Sequence, residues 1–259
     1  MDVTTARAAV HAAGVAELLW PVPGGPPGAA GVVPLLLDDR PAVALPWAHE
    51  ATARAVGAAG EAVLALSDPR VTGSTWRPLA IRGRPRLIED GDGTLFGDRL
   101  LDQELRKHPP SRALADSVML RREHWWYLPR LVVVLEPGPI EPLAPRESAT
   151  DVVLGVDDGG LHVATVRVED WGADPLVLRG APVPAQGPAV LVGQEISVPD
   201  VERWTVHTTT GHHAGGRLGG LRSSGPRSLE PVPGLLARIR RQRALERACV
   251  SALRASGRA

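Results

Sequence analysis

Every strongly apolar run in this chain is cut short by proline, glycine or paired aspartates. Residues 131–135 read Leu-Val-Val-Val-Leu and stop just before Pro137. Residues 62–67 stop at Asp68-Pro69, and the runs 32–37 and 42–47 are split by Asp38-Asp39-Arg40-Pro41. Leucine and β-branched side chains in short blocks fit strands, and turn residues between such blocks fit hairpins. The 28 glycines and 25 prolines keep imposing this punctuation over 259 residues, a length that can bury a proper core. The same interruptions leave no run near the roughly 18 apolar residues of a membrane span. The first residues lack the basic and apolar segments of an export signal, which makes the cytoplasm the expected location.

A coarse pass along the chain places a short helix at 2–13, capped by Asp2, with Ala6, Val10 and Ala13 on one face. A strand at 16–20 leads into a proline- and glycine-rich loop at 21–31, followed by the hairpin of 32–37 and 42–47. A short helix at 49–59 precedes strands at 62–67 and 76–82, the latter extended beyond a bend by 85–89. Leu95, Leu100, Leu101 and Leu105 predict a helix over 94–108 that Pro109-Pro110 must stop, and Ser111 is read as the cap of a second helix to about 120. The strand at 131–135 follows, and 137–145 reads as a boundary. This order favours an antiparallel barrel with helices at its ends over a βαβ sheet.

The second half carries a degenerate internal repeat. Asp38-Asp39 with 41–47 is matched by Asp157-Asp158 with 159–166, the segment 62–66 by 189–192, and the Trp76 to Gly83 spacing by Trp204 to Gly211. The expected organisation is a first β-unit with a helical insert at 1–145, a second β-unit at 146–230 and a C-terminal helix at 231–259. That helix, with Leu235, Ile239 and Cys249 toward the protein, exposes Arg238, Arg240, Arg241, Arg243 and Arg247. From residue 203 onward the chain holds eleven arginines against Glu230 and Glu246, although the whole chain is formally neutral. An acidic partner, RNA or a membrane surface would suit such a face; so would plain solvation or attraction to the acidic first part.

Several chemistries are excluded. The single cysteine, Cys249, rules out an intrachain disulfide framework and a thiolate zinc site. All basic residues except Lys107 are arginine, and Lys107 stands before His108-Pro109-Pro110, so there is no P-loop and one Schiff-base candidate. There is no Gly-x-Ser-x-Gly elbow and no dinucleotide fingerprint. His207, His212 and His213, with Glu195 and Asp200 nearby, are a metal-like grouping without the helical His-x-x-x-His spacing. His124 beside Trp125 and Trp126 is either a haem ligand or proton donor, or part of a packed barrel end.

The stretch 3–143 resembles the flavin-binding split-barrel superfamily that includes pyridoxamine 5′-phosphate oxidase. The resemblance rests on Gly31-Val-Val-Pro-Leu-Leu-Leu, Ala42-Val-Ala-Leu-Pro-Trp47, Ala62-Val-Leu-Ala-Leu-Ser-Asp-Pro-Arg70 and Trp76-Arg-Pro-Leu-Ala-Ile-Arg-Gly83. The block from Glu104-Leu-Arg-Lys-His-Pro-Pro-Ser-Arg112 through His124-Trp-Trp-Tyr-Leu-Pro-Arg130 is similar to an actinobacterial subfamily without an assigned reaction. The implied fold is mainly β with flanking helices (α+β), an antiparallel split β-barrel followed by a smaller related β-unit. The resemblance implies an FMN-dependent oxidoreductase of a small-molecule substrate, with deazaflavin or haem as alternative cofactors. It also implies assembly as a homodimer or, here, an internal pseudo-dimer.

The cofactor-binding positions so implied are Trp47, His49, Arg54, Ser67, Arg70, Trp76 and Arg77, with Arg54 and Ser67 for the phosphate; no catalytic residue is assigned. A guanidinium fork suits a phosphate dianion. Where flavin binders carry Thr or Ser after the third strand, this chain has Pro46-Trp47-Ala48-His49. Trp47 either stacks on the flavin ring or fills its place. Flavin chemistry demands few protein acids, so the absence of a catalytic constellation fits an oxidoreductase as well as a non-catalytic binding or regulatory protein.

Overall fold

The computed structural model of the protein describes residues 2–71, 76–180, 186–197 and 202–257. Its first part holds α1 (Val3–Ala12), β1 (Ala16–Trp20), β2 (Gly28–Val32), β3 (Leu35–Leu37), β4 (Arg40–Pro46), α2 (Glu50–Ala58), β5 (Ala62–Leu66) and β6 (Leu79–Asp90). A helical insert follows, α3 (Thr94–Arg99), α4 (Leu101–Lys107), α5 (Arg112–Ala115) and α6 (Val118–Glu123), before β7 (Arg130–Pro142). The second part holds β8 (Asp151–Asp157), β9 (Leu161–Val168), β10 (Leu176–Gly180), β11 (Gln186–Ile196), β12 (Trp204–Ala214) and β13 (Arg217–Ser224), and α7 (Leu235–Ala255) closes the chain.

The fold is mostly antiparallel β with flanking helices. The first sheet has the order β2-β1-β5-β6-β7-β4-β3, and the second is a closed barrel, β10-β13-β12-β11-β8-β9. Both follow one plan. Reading β8, β9, β11, β12 and β13 for β1, β2, β5, β6 and β7, and β10 for β4, reproduces the neighbours of the first sheet. The second closes because β9 pairs with β10. The two parts also meet reciprocally, with β2 against β11 and β9 against β5, contacts that the same substitution of strands exchanges.

The pairing of 62–66 with 189–192 matches β5 to β11, and Trp76–Gly83 with Trp204–Gly211 matches β6 to β12. Matching 41–47 to 159–166 fails, because it sets β4 against β9, whose counterpart is β2.

Local chemistry explains most elements. The Asp2 carboxylate accepts the Thr5 amide at 2.7 Å and caps α1. Asp38 and Asp39 both take positive φ, as a two-residue turn between antiparallel strands requires. Asp90 accepts the amides of Leu95 (3.2 Å) and Phe96 (2.7 Å), starting α3 after a glycine turn.

Other expectations are corrected. The loop predicted over 21–31 contains β2, whose Gly31 lies against the second barrel; a Cβ there would stand 2.5 Å from Val206 Cγ2. The 94–108 helix is broken between α3 and α4 at Leu100. Ser111 makes no cap; Ser117 does, accepting from the Leu120 amide. Strand β7 runs on to Pro142, through the predicted boundary, because β6 pairs along its length. Leu235 and Ile239 stay exposed, while Cys249 and Leu253 are fully buried.

Four cores follow. One fills the first sheet beneath α1, a second lies between that sheet, the insert and the C-terminal half of α7, and a third fills the second barrel. The fourth joins the parts: Leu19, Val63, Ala65 and Ala80 pack against Val153, Leu161, Val190 and Val192.

Candidate functional site

The insert places four polar side chains at one end of a cavity. Helix α4 carries Glu104 and, one turn on, leads to His108; Pro109-Pro110 turns the chain so that Ser111 comes back under α4. The 3-10 turn at Trp125–Tyr127 supplies Tyr127, and β7 begins with Arg130. The cavity, about 390 Å³, is walled by Val32, Val43, Leu45, Leu114 and Leu245, with Trp204 of the second barrel at one side. Its volume and its mixture of apolar wall and few polar groups are those of a small-molecule site.

The polar end is tightly bonded. Glu104 Oε1 accepts from Tyr127 at 2.5 Å and from Ser111 at 2.8 Å, and His108 Nδ1 lies 2.9 Å from Ser111 Oγ. Burial, then the Glu104 charge, pushes the Tyr127 phenol well above its ordinary value, so it remains a donor. Burial lowers the pKa of His108, with Glu104 opposing. His49 stands at the mouth; desolvation, then Arg130, lowers its pKa too. In both imidazoles burial favours the neutral form.

Arg130 is the exceptional member. It is 1% exposed, and its guanidinium lies between the rings of Phe96 (4.2 Å) and Tyr127 (4.0 Å). Its Nη1 donates to the Pro129 carbonyl at 3.3 Å, but Nη2 is 3.7 Å from Glu104, beyond a hydrogen bond, and Nε has no partner. The other buried arginine, Arg146, is ringed by Glu17 (3.7 Å), Asp68 (3.8 Å) and Glu195 (3.3 Å) and also donates to the Asp151 carbonyl. A buried cation is tolerated when paired and hydrogen-bonded. Arg146 has three carboxylates around it, although its Nη1 also lacks a hydrogen bond; Arg130 has one carboxylate, at 3.7 Å, and lies at the wall of a cavity.

The residues expected to hold a cofactor do not converge on this cavity. His49 alone lines it. Trp47 is fully buried in the core under α7, so it neither stacks on a ring nor faces a groove. Arg54 is exposed on α2 and paired with Glu50 and Glu89, each at 2.8 Å. Ser67 is buried where the two parts meet, with its hydroxyl on both Glu17 oxygens at 3.0 Å. Arg70 is held by Asp68 at 2.6 Å, Trp76 packs beside the first core, and Arg77 is exposed. Such a scattered set does not form a phosphate cradle, and no flavin step is derived from it.

The remaining candidates also separate. Lys107 donates to the carbonyls of Val10 and Pro34, tying α4 to α1 and the β2–β3 link; burial lowers its pKa to about 7. His124 meets Gln242 of α7. His207 points at Trp171, its pKa lowered to about 4 by burial and by Arg146 and Arg227, whereas His212 is exposed. Glu195 serves Arg146, and Asp200 lies outside the described residues. Among the described residues no group of three His, Cys, Asp or Glu side chains is placed to hold a metal.

The residues that sequence reasoning missed, Glu104, His108, Ser111, Tyr127 and Arg130, all fall in the one block whose resemblance lay outside the strands, 104–130. Their local signal was the spacing of Glu104, His108 and Ser111 around Pro109-Pro110 and the aromatic run before Arg130. That pattern alone does not say that the five meet.

Comparison with known proteins adds little to this geometry. No protein-family model and no curated protein matches the sequence. One solved structure is similar at a TM-score of 0.38 and 18% identity over 64% of this chain and 94% of its own. Another, a heme binding protein from Mycobacterium smegmatis, is similar at a TM-score of 0.37 and 12% identity over 99% of this chain and 98% of its own. Similarity at this level leaves the reading of the site to its own residues.

Proposed function

We propose that the protein binds a small, largely apolar molecule bearing a carboxylate, with the apolar body between β2, β4 and α7 and the carboxylate on Arg130. The observation that carries this is a fully buried guanidinium with an unpartnered Nε at the polar end of an apolar cavity. A carboxylate accepts two guanidinium bonds at once and supplies the charge that Glu104, already taken by two hydroxyls, delivers only from 3.7 Å. Tyr127 and Ser111 hold Glu104 away, and so keep the fork of Arg130 available.

Haem belongs to this ligand class, since its propionates are carboxylates on an apolar ring. The imidazoles of His49 and His108 are the groups on the cavity wall able to ligate its iron. The flavin reading of the split-barrel resemblance has no such support, because Arg54, Ser67 and Arg77 lie in three separate places. We further propose that the chain is an internal pseudo-dimer of split barrels, 1–145 and 146–230, with 231–259 closing the cavity of the first.

The test is a titration of the protein with octanoate, benzoate, the matched alcohols, phosphate monoesters, FMN and haemin, followed by calorimetry and absorption. Carboxylates should bind and alcohols should not, with binding abolished in Arg130→Gln. A ligand at a hundred times its Kd raises stability by about 2.7 kcal/mol, easily seen as a higher Tm. Haemin giving a Soret shift that His49→Ala or His108→Ala removes would single out haem within the class. Equal binding of acids and alcohols, or an unaffected Arg130→Gln, would overturn the proposal.

A further inference from the structure

Large apolar side chains that stand exposed are few among the described residues, and all but Val3 fall in two segments, 118–125 and 232–239. Val118, Met119 and Trp125 project from α6 and the turn after it; Leu235, Leu236 and Ile239 project from the start of α7. The two segments are neighbours, for α7 packs on the 125–127 turn and Gln242 bonds His124 at 2.9 Å. Leu235, Ile239, Gln242, Cys249 and Leu253 recur at helical spacing on one stripe of α7. The stripe is buried at Cys249 and Leu253 and continues past the edge of the core, where Leu235 is 72% and Leu236 is 71% exposed. Propensity does not require these leucines: nothing among the described residues covers them.

Around this apolar surface positive charge predominates over that of Glu123, Glu230 and Glu246. Arg238, Arg240, Arg241, Arg243 and Arg247 are exposed on the same helix, and of these only Arg241 meets a carboxylate among the described residues, Glu230 at 2.8 Å. A clustered apolar patch on a soluble-looking surface marks an interaction site. Aliphatic residues beside an exposed tryptophan, with arginines flanking, have the make-up of a helix that lies in the boundary of an anionic bilayer. A second copy docking through this patch would bring two such arginine rows together, and RNA would leave the aliphatic stripe without use. We propose that α6 and the first half of α7 dock the protein on an anionic lipid surface.

The experiment is flotation of the full-length protein with vesicles of phosphatidylcholine alone and of phosphatidylcholine mixed with phosphatidylglycerol. Binding is expected for the mixed vesicles only, and raised salt should release the protein because exposed charges are screened. Leu235→Ser with Leu236→Ser, and separately Arg238→Gln with Arg240→Gln and Arg243→Gln, should each weaken binding at least tenfold. Both variants should melt as the parent does, since every changed side chain is exposed. Failure to float with either vesicle, equal flotation with both, or variants that bind like the parent would overturn the proposal. So would sedimentation that shows a dimer lost in Leu235→Ser, or single-stranded RNA that displaces the vesicles.

Discussion

Glu17 and His207 are both buried and both feel the charge of Arg146, and their protonation pulls stability in opposite directions. Burial raises the Glu17 pKa to about 7, with Arg146, Gln194 and Ser67 opposing, so the folded state binds its proton more tightly than the unfolded chain. That contribution is present at low pH and is lost as pH rises through about 4.5 to 7. His207, lowered to about 4 by burial first, is bound more tightly in the unfolded chain, so its contribution is lost as pH falls from about 6.5 to 4. The two effects cancel where they overlap. Urea midpoints of the parent should therefore change little from about pH 4.5 to 6.5. Glu17→Gln should lose stability on acidification across that window and His207→Asn should gain it, each by on the order of 2 kcal/mol; parallel profiles for all three proteins would refute the assignment. Arg130 and Glu104 form a second buried pair. Arg130→Met leaves the Glu104 carboxylate without its cation and should cost about 3–5 kcal/mol while abolishing carboxylate binding. Glu104→Ala strands Tyr127, Ser111 and Arg130 together and should cost about 3–5 kcal/mol, read by the same denaturation.

At the scale of elements, α7 and β2 exist where they do because of what they meet. Leu253 and Cys249 fasten α7 over the 47–49 turn, so the thiol is a reporter of that docking: burial raises its pKa and shields it. Cys249 should react with a disulfide reagent in the native protein only as fast as α7 opens. Leu253→Ala should cost about 2–5 kcal/mol and raise that rate at least tenfold, whereas an unchanged rate would show that α7 is not held by this contact. Strand β2 reads Gly-Ala-Ala-Gly-Val, a composition with little strand propensity, which explains why its segment looks like a loop. It pairs with β1 and slips between the two parts because Gly31 has no side chain. Gly31→Val should cost about 1–3 kcal/mol by overpacking against Val206 and Trp204, and should also weaken ligand binding at the cavity whose wall Gly31 shares. By contrast β5 and the apolar blocks 131–135 of β7 and 189–192 of β11 were legible directly, since these blocks are bounded by turn residues and buried on both faces.

For the whole molecule, the reciprocal packing of β2 on β11 and β9 on β5 makes the two parts one folding unit. Glu17 of β1 accepts from Gln194 of β11 at 2.8 Å, and Arg82 of β6 donates to the Leu161 carbonyl at 2.6 Å. Far-ultraviolet circular dichroism and tryptophan fluorescence should accordingly report one coincident unfolding transition, and residues 1–145 expressed alone should expose the Leu19–Val63–Ala80 face and aggregate. Two separated transitions would refute this. The sequence by itself determined the antiparallel β character, the places of most strands and the basic terminal helix, because alternation of apolar blocks with Gly, Pro and Asp is local chemistry. It could not convey that Arg130, on a strand, meets Glu104, Ser111 and Tyr127 from the insert, nor that Ser67 and Arg54 face apart. Convergence of side chains distant in sequence is decided by how strands pair and which surfaces bury, and only the tertiary structure holds that information.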